Sequence, residues 1–270
     1  MDMSAEKEDE LLPAVALGAA AIRVAQALNE KLGGLELYGI TDMNEDADGF
    51  PELAFPASRP IRFLLYDCAE AGTGAVKAFA AKMKEGGKLF AFEIAAHGEK
   101  MKPSWRIGTD VLIRVEGEAQ CLAAAGALLP MVAPQLPAVL DMDDVLALFD
   151  GTDIVRVGIG TAADVQMAVG DALAQLGWKP EFLRGILLSL SGGEDLGMRE
   201  MDAATSSVME CVSEECNIVF SAEADPALEG RVRVTILATC GKRKGSHDAS
   251  DWMMEILEEQ FKDGENRQER

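Results

Sequence analysis

Short, almost purely apolar runs alternate with longer amphipathic stretches over the first 115 residues. The stretches between the runs consist mostly of good helix formers; the clearest are Ala19–Leu32, which Gly33 and Gly34 end, and residues 72–85. Parallel strands joined by crossover helices belong in a sheet that is covered on both faces, so the pattern predicts an open, doubly wound α/β sheet. The predicted strands are Leu11–Leu17, Leu35–Ile40, Ile61–Tyr66, Lys88–Ile94 and Val111–Val115.

The second half of the chain has a different order of elements. An Ala- and Leu-rich helix, Glu118–Leu129, is predicted to connect the halves, and a short helix, Asp143–Phe149, precedes the second half. Strand, helix, strand and strand then form a compact α/β unit over residues 185–240. The predicted elements here are the strands Asp153–Thr161, Ile186–Ser191, Asn217–Glu223 and Arg231–Thr239 and the helix Gly197–Ser213.

Residues 242–270 form a charged tail with one apolar stripe. A helix is predicted over Asp251–Phe261, and its apolar residues fall on one face. They are Trp252, Met253, Ile256, Leu257 and Phe261. The pattern suits a helix that packs back on the body of the protein as well as one that binds a partner.

Charge and composition exclude several classes of partner. The 25 basic and 46 acidic residues give a net charge of −21, so the surface repels nucleic acid and anionic lipid. The acidic start has no apolar run and is not expected to be a signal peptide. The long uncharged run Cys121–Leu140 contains three prolines, so direct membrane insertion is not expected either.

Cysteine and histidine usage indicates a reduced compartment and no structural metal. The 5 cysteines form no C-x-x-C pair, which favours a cytoplasmic location. The 2 histidines, His97 and His247, are far apart and show no ligand spacing, so a zinc site is not expected.

Three motifs in the second half carry a resemblance to a known family. They read GILLSLSGGEDL at residues 185–196, CNIVFSAEADPAL at 216–228 and RVRVTILAT at 231–239. In this order and spacing they resemble the C-terminal domain of FtsZ, the bacterial member of the tubulin superfamily. The upstream strand DIVRVGIGT, residues 153–161, looks like the strand that opens the same domain.

The resemblance implies a fold and a division into domains. A Rossmann-like N-terminal domain with a parallel sheet would occupy residues 1–138 and include the central helix. A smaller α/β C-terminal domain would occupy residues 139–241, followed by the tail at 242–270. GTP or GDP, with Mg²⁺, would bind at the N-terminal domain.

The first candidate phosphate loop departs from the family pattern. In the family a glycine-rich loop at a helix N-terminus lets backbone N–H groups approach phosphate. By position the loop here comprises Gly18, Ala19 and Ala20, and Arg23 stands where the family has Asn. A plain strand-to-helix turn packed with alanine explains these residues equally well.

The second candidate phosphate loop keeps only part of the family signature. Gly72, Thr73 and Gly74 match its last three residues and lead into a helix. Glu70 stands among the preceding residues, and a carboxylate about 5 Å from a phosphate costs roughly 3 kcal/mol at an effective dielectric constant near 20. The residues that read guanine in the family's central helix have no counterpart in Cys121–Ala127.

The other half of the family's active site is an acidic loop that enters the neighbouring subunit. By resemblance, Asp141 and Asp144 would be the catalytic residues that position the attacking water, while Val139 replaces the family's Asn. Acidic residues in the first turn of a helix would account for the same pattern. If the family's contact holds, subunits stack head to tail.

These observations favour an FtsZ-like protein of the cytoskeleton or of cell division with a degenerate GTP site. It would act by self-association or by association with another FtsZ-like protein. An active GTPase with altered phosphate loops is the alternative. An α/β oxidoreductase with a nucleotide cofactor is a third reading, against which stands the lack of G-x-G-x-x-G after the first strand.

Overall fold

The computed structural model describes residues 11–41, 61–85, 87–97, 107–132, 142–149, 154–177, 179–193 and 195–240. The strands are β1 (Leu12–Leu17), β2 (Leu35–Ile40), β3 (Ile61–Asp67), β4 (Lys88–Ala95), β5 (Val111–Glu116), β6 (Ile154–Ala162), β7 (Leu183–Gly192), β8 (Asn217–Ala224) and β9 (Val232–Cys240). The helices are α1 (Ala19–Leu32), α2 (Thr73–Lys84), α3 (Gly117–Val132), α4 (Met142–Leu148), α5 (Val165–Gln175) and α6 (Met198–Met209). None of these helices has the length and the apolar character to cross a membrane.

All nine strands form one continuous sheet in the order β2-β1-β3-β4-β5-β6-β9-β7-β8. The strands from β2 to β6 are parallel, and β5 meets β6 through the pairs Leu112 with Ile154 and Ile113 with Val155. β9 runs antiparallel to both of its neighbours, β6 and β7, and β8 is parallel to β7. The sheet therefore joins the parallel half of the chain to the mixed half.

Helices cover both faces of this sheet because its strands are apolar on both sides. On one face, α1, α3 and α4 pack on residues from both halves of the sheet, among them Phe90, Leu187 and Leu237, and we call this cluster the shared core. On the opposite face, α2 packs on β1, β3, β4 and β5, while α5 and α6 pack on β7 and β9. This arrangement confirms the predicted α/β class with a mostly parallel, doubly wound sheet.

A cleft of about 970 Å³ lies between one part of the connecting helix α3 and the β9-β7-β8 part of the sheet. Hydroxyl side chains line its sheet side, including Ser189, Ser191 and Thr235, and all three are buried. Lys31 of α1 reaches Glu223 of β8 at 3.3 Å, so one ion pair links the first helix to the last edge strand.

Most predicted elements agree with the structure to within a few residues, but α5 was absent from the prediction. α5 begins after Asp164, whose carboxylate accepts a hydrogen bond from the Met167 N–H at 3.0 Å. Its buried residues Val165, Ala168, Val169, Ala172 and Leu173 follow helical spacing. The predicted boundary between residues 138 and 139, and the tail beyond residue 241, lie outside the described residues.

Candidate functional site

The order of the strands places a crevice at the carboxyl ends of β1 and β3. The chain leaves β1 toward β2 on one side and later returns to β3 on the other, so α1 and α2 lie on opposite faces of the sheet. In open α/β sheets ligands bind where the strand order reverses in this way. The residues that the sequence predicted for phosphate binding lie in the loops that follow β1 and β3 and in the N-terminal turns of α1 and α2.

The turn after β3 is held together by Asp67. Its carboxylate accepts a hydrogen bond from the Ala69 N–H at 2.8 Å, and its carbonyl accepts one from the Ala71 N–H at 2.8 Å. Asp side chains stabilise turns in this way. The turn therefore presents the next acidic residue, Glu70, in a defined direction.

The carboxylate of Glu70 lies on the N-terminus of α1. Oε2 of Glu70 accepts a hydrogen bond from the Ala19 N–H at 2.6 Å. The N-cap residue Gly18 has no side chain to offer, and the first turn of α1 contains no acidic residue. A helix N-terminus attracts negative charge. At α1 this charge comes from Glu70, which lies 51 positions after Ala19 in the sequence.

Gly18 makes this approach possible. Its φ of 92° lies in the region that favours glycine, and a Cβ there would stand 3.0 Å from Glu70 Oε2 and 3.1 Å from the Asp67 Cβ. The next residues offer no polar side chain to a ligand, and both Ala20 and Ala21 are buried. A nucleotide phosphate consequently does not fit at the N-terminus of α1 with Glu70 in this position.

Arg23 is held by the connecting helix. Its Nη2 lies 2.6 Å from Glu118 Oε1 and its Nε 3.1 Å from Glu118 Oε2, a bidentate pair between α1 and α3. The hydrogen bonds and charge of Glu118 raise the pKa of Arg23, to which Glu70 and Asp67 add, and the hydrogen bond from Arg23 lowers the pKa of Glu118. No sequence pattern predicts this pair, because its two residues lie 95 positions apart.

The N-terminus of α2 differs from that of α1, because no side chain among the described residues caps it. Gly72 is the N-cap residue and makes no side-chain hydrogen bond, and the first turn has no acidic residue. Gly72, Thr73 and Gly74 are all exposed, and a Cβ on either glycine would meet open space. This end of the crevice therefore retains an anion-receptive helix start.

A buried ionic cluster lies under the turn and was not anticipated. Glu93 of β4 is 1% exposed, and its carboxylate lies 2.6 Å from Arg114 Nη1 and 3.0 Å from the Tyr66 hydroxyl, while Cys68 Sγ lies 3.2 Å away. The signal in the sequence is a single Glu in the otherwise apolar strand LFAFEIA at residues 89–95. A buried carboxylate requires hydrogen-bonding or charged partners. Because the partners of Glu93 lie on the neighbouring strands, the cluster links β3, β4 and β5.

Asp144, the acidic residue of the second candidate motif whose side chain the structure describes, lies far from this crevice. Asp144 is exposed near the start of α4, whereas Asp141 and the side chain of Asp143 are outside the described residues. α4 lies at the amino ends of the parallel strands, since its Leu148 carbonyl accepts a hydrogen bond from Thr239 Oγ1, which also contacts the Gly185 carbonyl at the start of β7. Within one subunit the structure does not bring Asp144 and the phosphate loops together.

In the described ranges no group of three or more His, Cys, Asp or Glu side chains is arranged to hold a metal ion. The candidate site therefore consists of two helix N-termini and a set of carboxylates. The charges of Asp67, Glu70 and Glu118 all act on the Arg23 guanidinium, which is already paired with Glu118. Such an edge has an excess of negative charge.

Comparison with known proteins finds similarity in the second half of the chain. Residues 155–242 match the model of the FtsZ family, C-terminal domain. A cell division protein FtsZ from Wolbachia sp is 36% identical over 106 residues, which are 37% of this chain and 27% of that protein. The match thus spans about a quarter of the length of that relative.

Solved structures extend the likeness to the fold of nearly the whole chain. An FtsZ variant from M. jannaschii has a TM-score of 0.67 at 17% identity, covering 87% of this chain and 92% of that one. The GDP-bound monomer of CetZ1 from Haloferax volcanii has a TM-score of 0.59 at 12% identity, covering 86% and 95%. Residues 155–242 thus match the FtsZ family, C-terminal domain, and the fold of nearly the whole chain is similar to the folds of FtsZ and CetZ1.

Proposed function

We propose that this chain is an FtsZ-like cytoskeletal protein of cell division or of a related scaffold. It forms filaments or joins those of another FtsZ-like protein, and its nucleotide site binds GTP weakly or not at all. The main support for weak GTP binding is the position of the Glu70 carboxylate, which occupies the N-terminus of α1. The FtsZ-type C-terminal domain supports the filament part of the proposal.

The positions of the two candidate surfaces support a head-to-tail contact. The phosphate loops lie at the carboxyl edge of the parallel strands and Asp144 lies at the amino edge. The 16-residue helix α3 connects the edges and is about 24 Å long at about 1.5 Å per residue. A contact between two different surfaces at opposite ends produces open filaments.

The charges of these surfaces oppose the contact. In such a stack Asp144 approaches an edge that carries Asp67, Glu70 and Glu118. Like charges across an interface disfavour docking, and the net charge of −21 adds repulsion that salt screens over about 8–10 Å. Association is therefore weak at low salt and grows as salt or a divalent cation is added.

Sedimentation and light scattering over a salt series test this proposal in the absence of nucleotide. We expect a monomer or weak oligomer at low salt and increasing assembly with NaCl, Mg²⁺ or Ca²⁺. Asp144→Arg is expected to raise assembly at low salt, because a cation then meets the acidic edge. Calorimetric titration of the same samples with GTP and Mg²⁺ is expected to show a dissociation constant above the micromolar range.

Asp171→Arg is the matched control, since it makes the same charge change at an exposed position midway along α5. Equal effects of Asp144→Arg and Asp171→Arg would show that net charge alone controls assembly. Robust filaments at low salt without added cation would contradict the electrostatic account. Sub-micromolar GTP binding would contradict the degenerate site.

A second candidate function is an active GTPase that uses the remaining helix start. The uncapped N-terminus of α2, with exposed Gly72, Thr73 and Gly74, favours it. GTP-dependent release of inorganic phosphate that rises with protein concentration would support this candidate, since assembly brings the acidic residues of one subunit to the loops of the next.

A further inference from the structure

We propose that Glu70 is a built-in anion, which occupies the N-terminus of α1 and keeps phosphate groups away from that side of the crevice between β1 and β3. The contact is thus an autoinhibitory one: the chain supplies the negative charge that a ligand would otherwise bring. This inference rests on the proposed function only in taking this crevice as the site of the superfamily's nucleotide.

The geometry of α1 provides the first step. The helix has 14 residues, and its N-cap residue and first turn supply no side-chain acceptor or acid. The Glu70 carboxylate fills this position and accepts a short hydrogen bond from the Ala19 N–H, at 2.6 Å from the nitrogen. A phosphate oxygen would need the same N–H group and would have to approach a carboxylate.

The turn before Glu70 provides the second step. Glu70 is exposed, yet the direction of its side chain is set by three hydrogen bonds to Asp67, from the N–H groups of Ala69, Glu70 and Ala71. On the other side Gly18 is buried and leaves only the space that the carboxylate occupies. Two separate loops are thus shaped around this one contact.

The neighbouring helix start provides the comparison within the same molecule. The N-terminus of α2 follows the same turn, has no acidic residue in its first turn and opens to solvent. The carboxylate therefore closes one of two adjacent anion positions and leaves the other open. This selectivity argues for a specific contact rather than a general excess of acidic residues.

Two substitutions test the inference by thermal unfolding, with inorganic pyrophosphate as the probe. Glu70→Gln removes the charge and keeps the shape, and Glu70→Ala removes the side chain. Without probe, both are expected to lower the melting temperature by about 2 °C, because the helix start loses its anion. With millimolar pyrophosphate at constant ionic strength, both are expected to gain about 2–4 °C more than the wild-type chain gains.

Glu30→Gln is the matched control, since Glu30 is exposed in the last turn of the same helix. The same loss of charge at that end is expected not to lower the melting temperature and not to create a response to pyrophosphate. The inference is overturned if the Glu70 variants unfold at the wild-type temperature, or if their gain with pyrophosphate does not exceed that of wild type. Filament assays of the same variants report on the proposed function separately, since assembly can fail while the pyrophosphate response appears.

Discussion

At the scale of single residues, the exposed pair between Arg23 and Glu118 is the direct link between α1 and the connecting helix at the acidic edge. Both partners make two hydrogen bonds, and bidentate geometry is what distinguishes a useful surface ion pair from an incidental one. The pair also occupies Arg23, the only basic residue among residues 18–23, so its guanidinium is not available to a ligand. Its role is thus structural in the free chain.

This pair predicts a specific dependence of stability on pH. The hydrogen bond from Arg23 lowers the pKa of Glu118 in the folded chain. The pair therefore stabilises the fold fully above the pKa of Glu118 in the unfolded chain, about 4.3, and this stabilisation is lost as the pH falls through the lower pKa of the folded chain. We expect the difference in free energy of unfolding between wild type and Glu118→Gln to be constant between about pH 6 and 8 and to shrink as the pH falls below about 4.3. Urea unfolding at each pH measures it. If the difference in free energy of unfolding between the two proteins stays the same at the lowest pH, the ion pair is not its cause.

At the scale of elements, the contact between β6 and α5 depends on two glycines. A Cβ on Gly158 would lie 1.9 Å from the Ala172 carbonyl oxygen, and one on Gly160 would lie 1.8 Å from the Ala168 carbonyl oxygen. We expect Gly158→Ala to destabilise the fold by about 3 kcal/mol or more, because the helix must move away from the strand. Chemical denaturation measures the loss.

Gly170 offers the matched control within α5 itself. It is exposed, and a Cβ there meets nothing within 4 Å. Gly170→Ala is therefore expected to stabilise the protein by about 0.5–1 kcal/mol, the usual gain from replacing glycine inside a helix. If both substitutions destabilise to a similar extent, the close approach of α5 to β6 is not the cause.

The same elements show what could be predicted from the sequence. Continuous apolar runs such as Leu12–Leu17 identified the strands, and the α/β class followed from their alternation with helices. α5 was missed although its small buried residues have helical spacing. Its packing depends on the absence of side chains at Gly158 and Gly160 on a strand, which a pattern of apolar residues does not register.

The candidate site was predicted less completely than the fold. Sequence reasoning identified Glu70 as incompatible with phosphate, but not where its carboxylate goes. The contact with Ala19 joins loops 51 residues apart, and the pair of Arg23 with Glu118 joins helices 95 residues apart. Such contacts depend on the packing of whole elements, so local motifs cannot reveal them.

At the scale of the whole molecule, the shared core makes the two halves of the chain depend on each other. On β7, Leu187 belongs to the shared core, while its neighbour Leu188 faces α5 and α6, and both are fully buried. Each Leu→Ala substitution is expected to cost about 2–5 kcal/mol. The regions that lose protection from hydrogen exchange are expected to differ.

Hydrogen exchange followed by mass spectrometry distinguishes the two variants. Leu187→Ala is expected to weaken protection in α1, α3 and β4, which belong to the parallel half, as well as in β7. Leu188→Ala is expected to act first on α5 and α6. Identical patterns for the two variants would mean that the halves unfold only together.

The position of β9 within the sheet also has a consequence for how the chain folds. β9 is the last strand in the described chain, yet it lies between β6 and β7 and pairs with both. During synthesis β6 and β7 emerge first and have no hydrogen-bonding partner between them until β9 follows, about 70 residues after the end of β6. Pairings of such sequence separation form slowly, so the nascent chain has two unpaired strand edges that invite pairing with other chains. A chaperone that shields these edges until residue 240 has been made would raise the yield of folded protein more than one that acts on the parallel half.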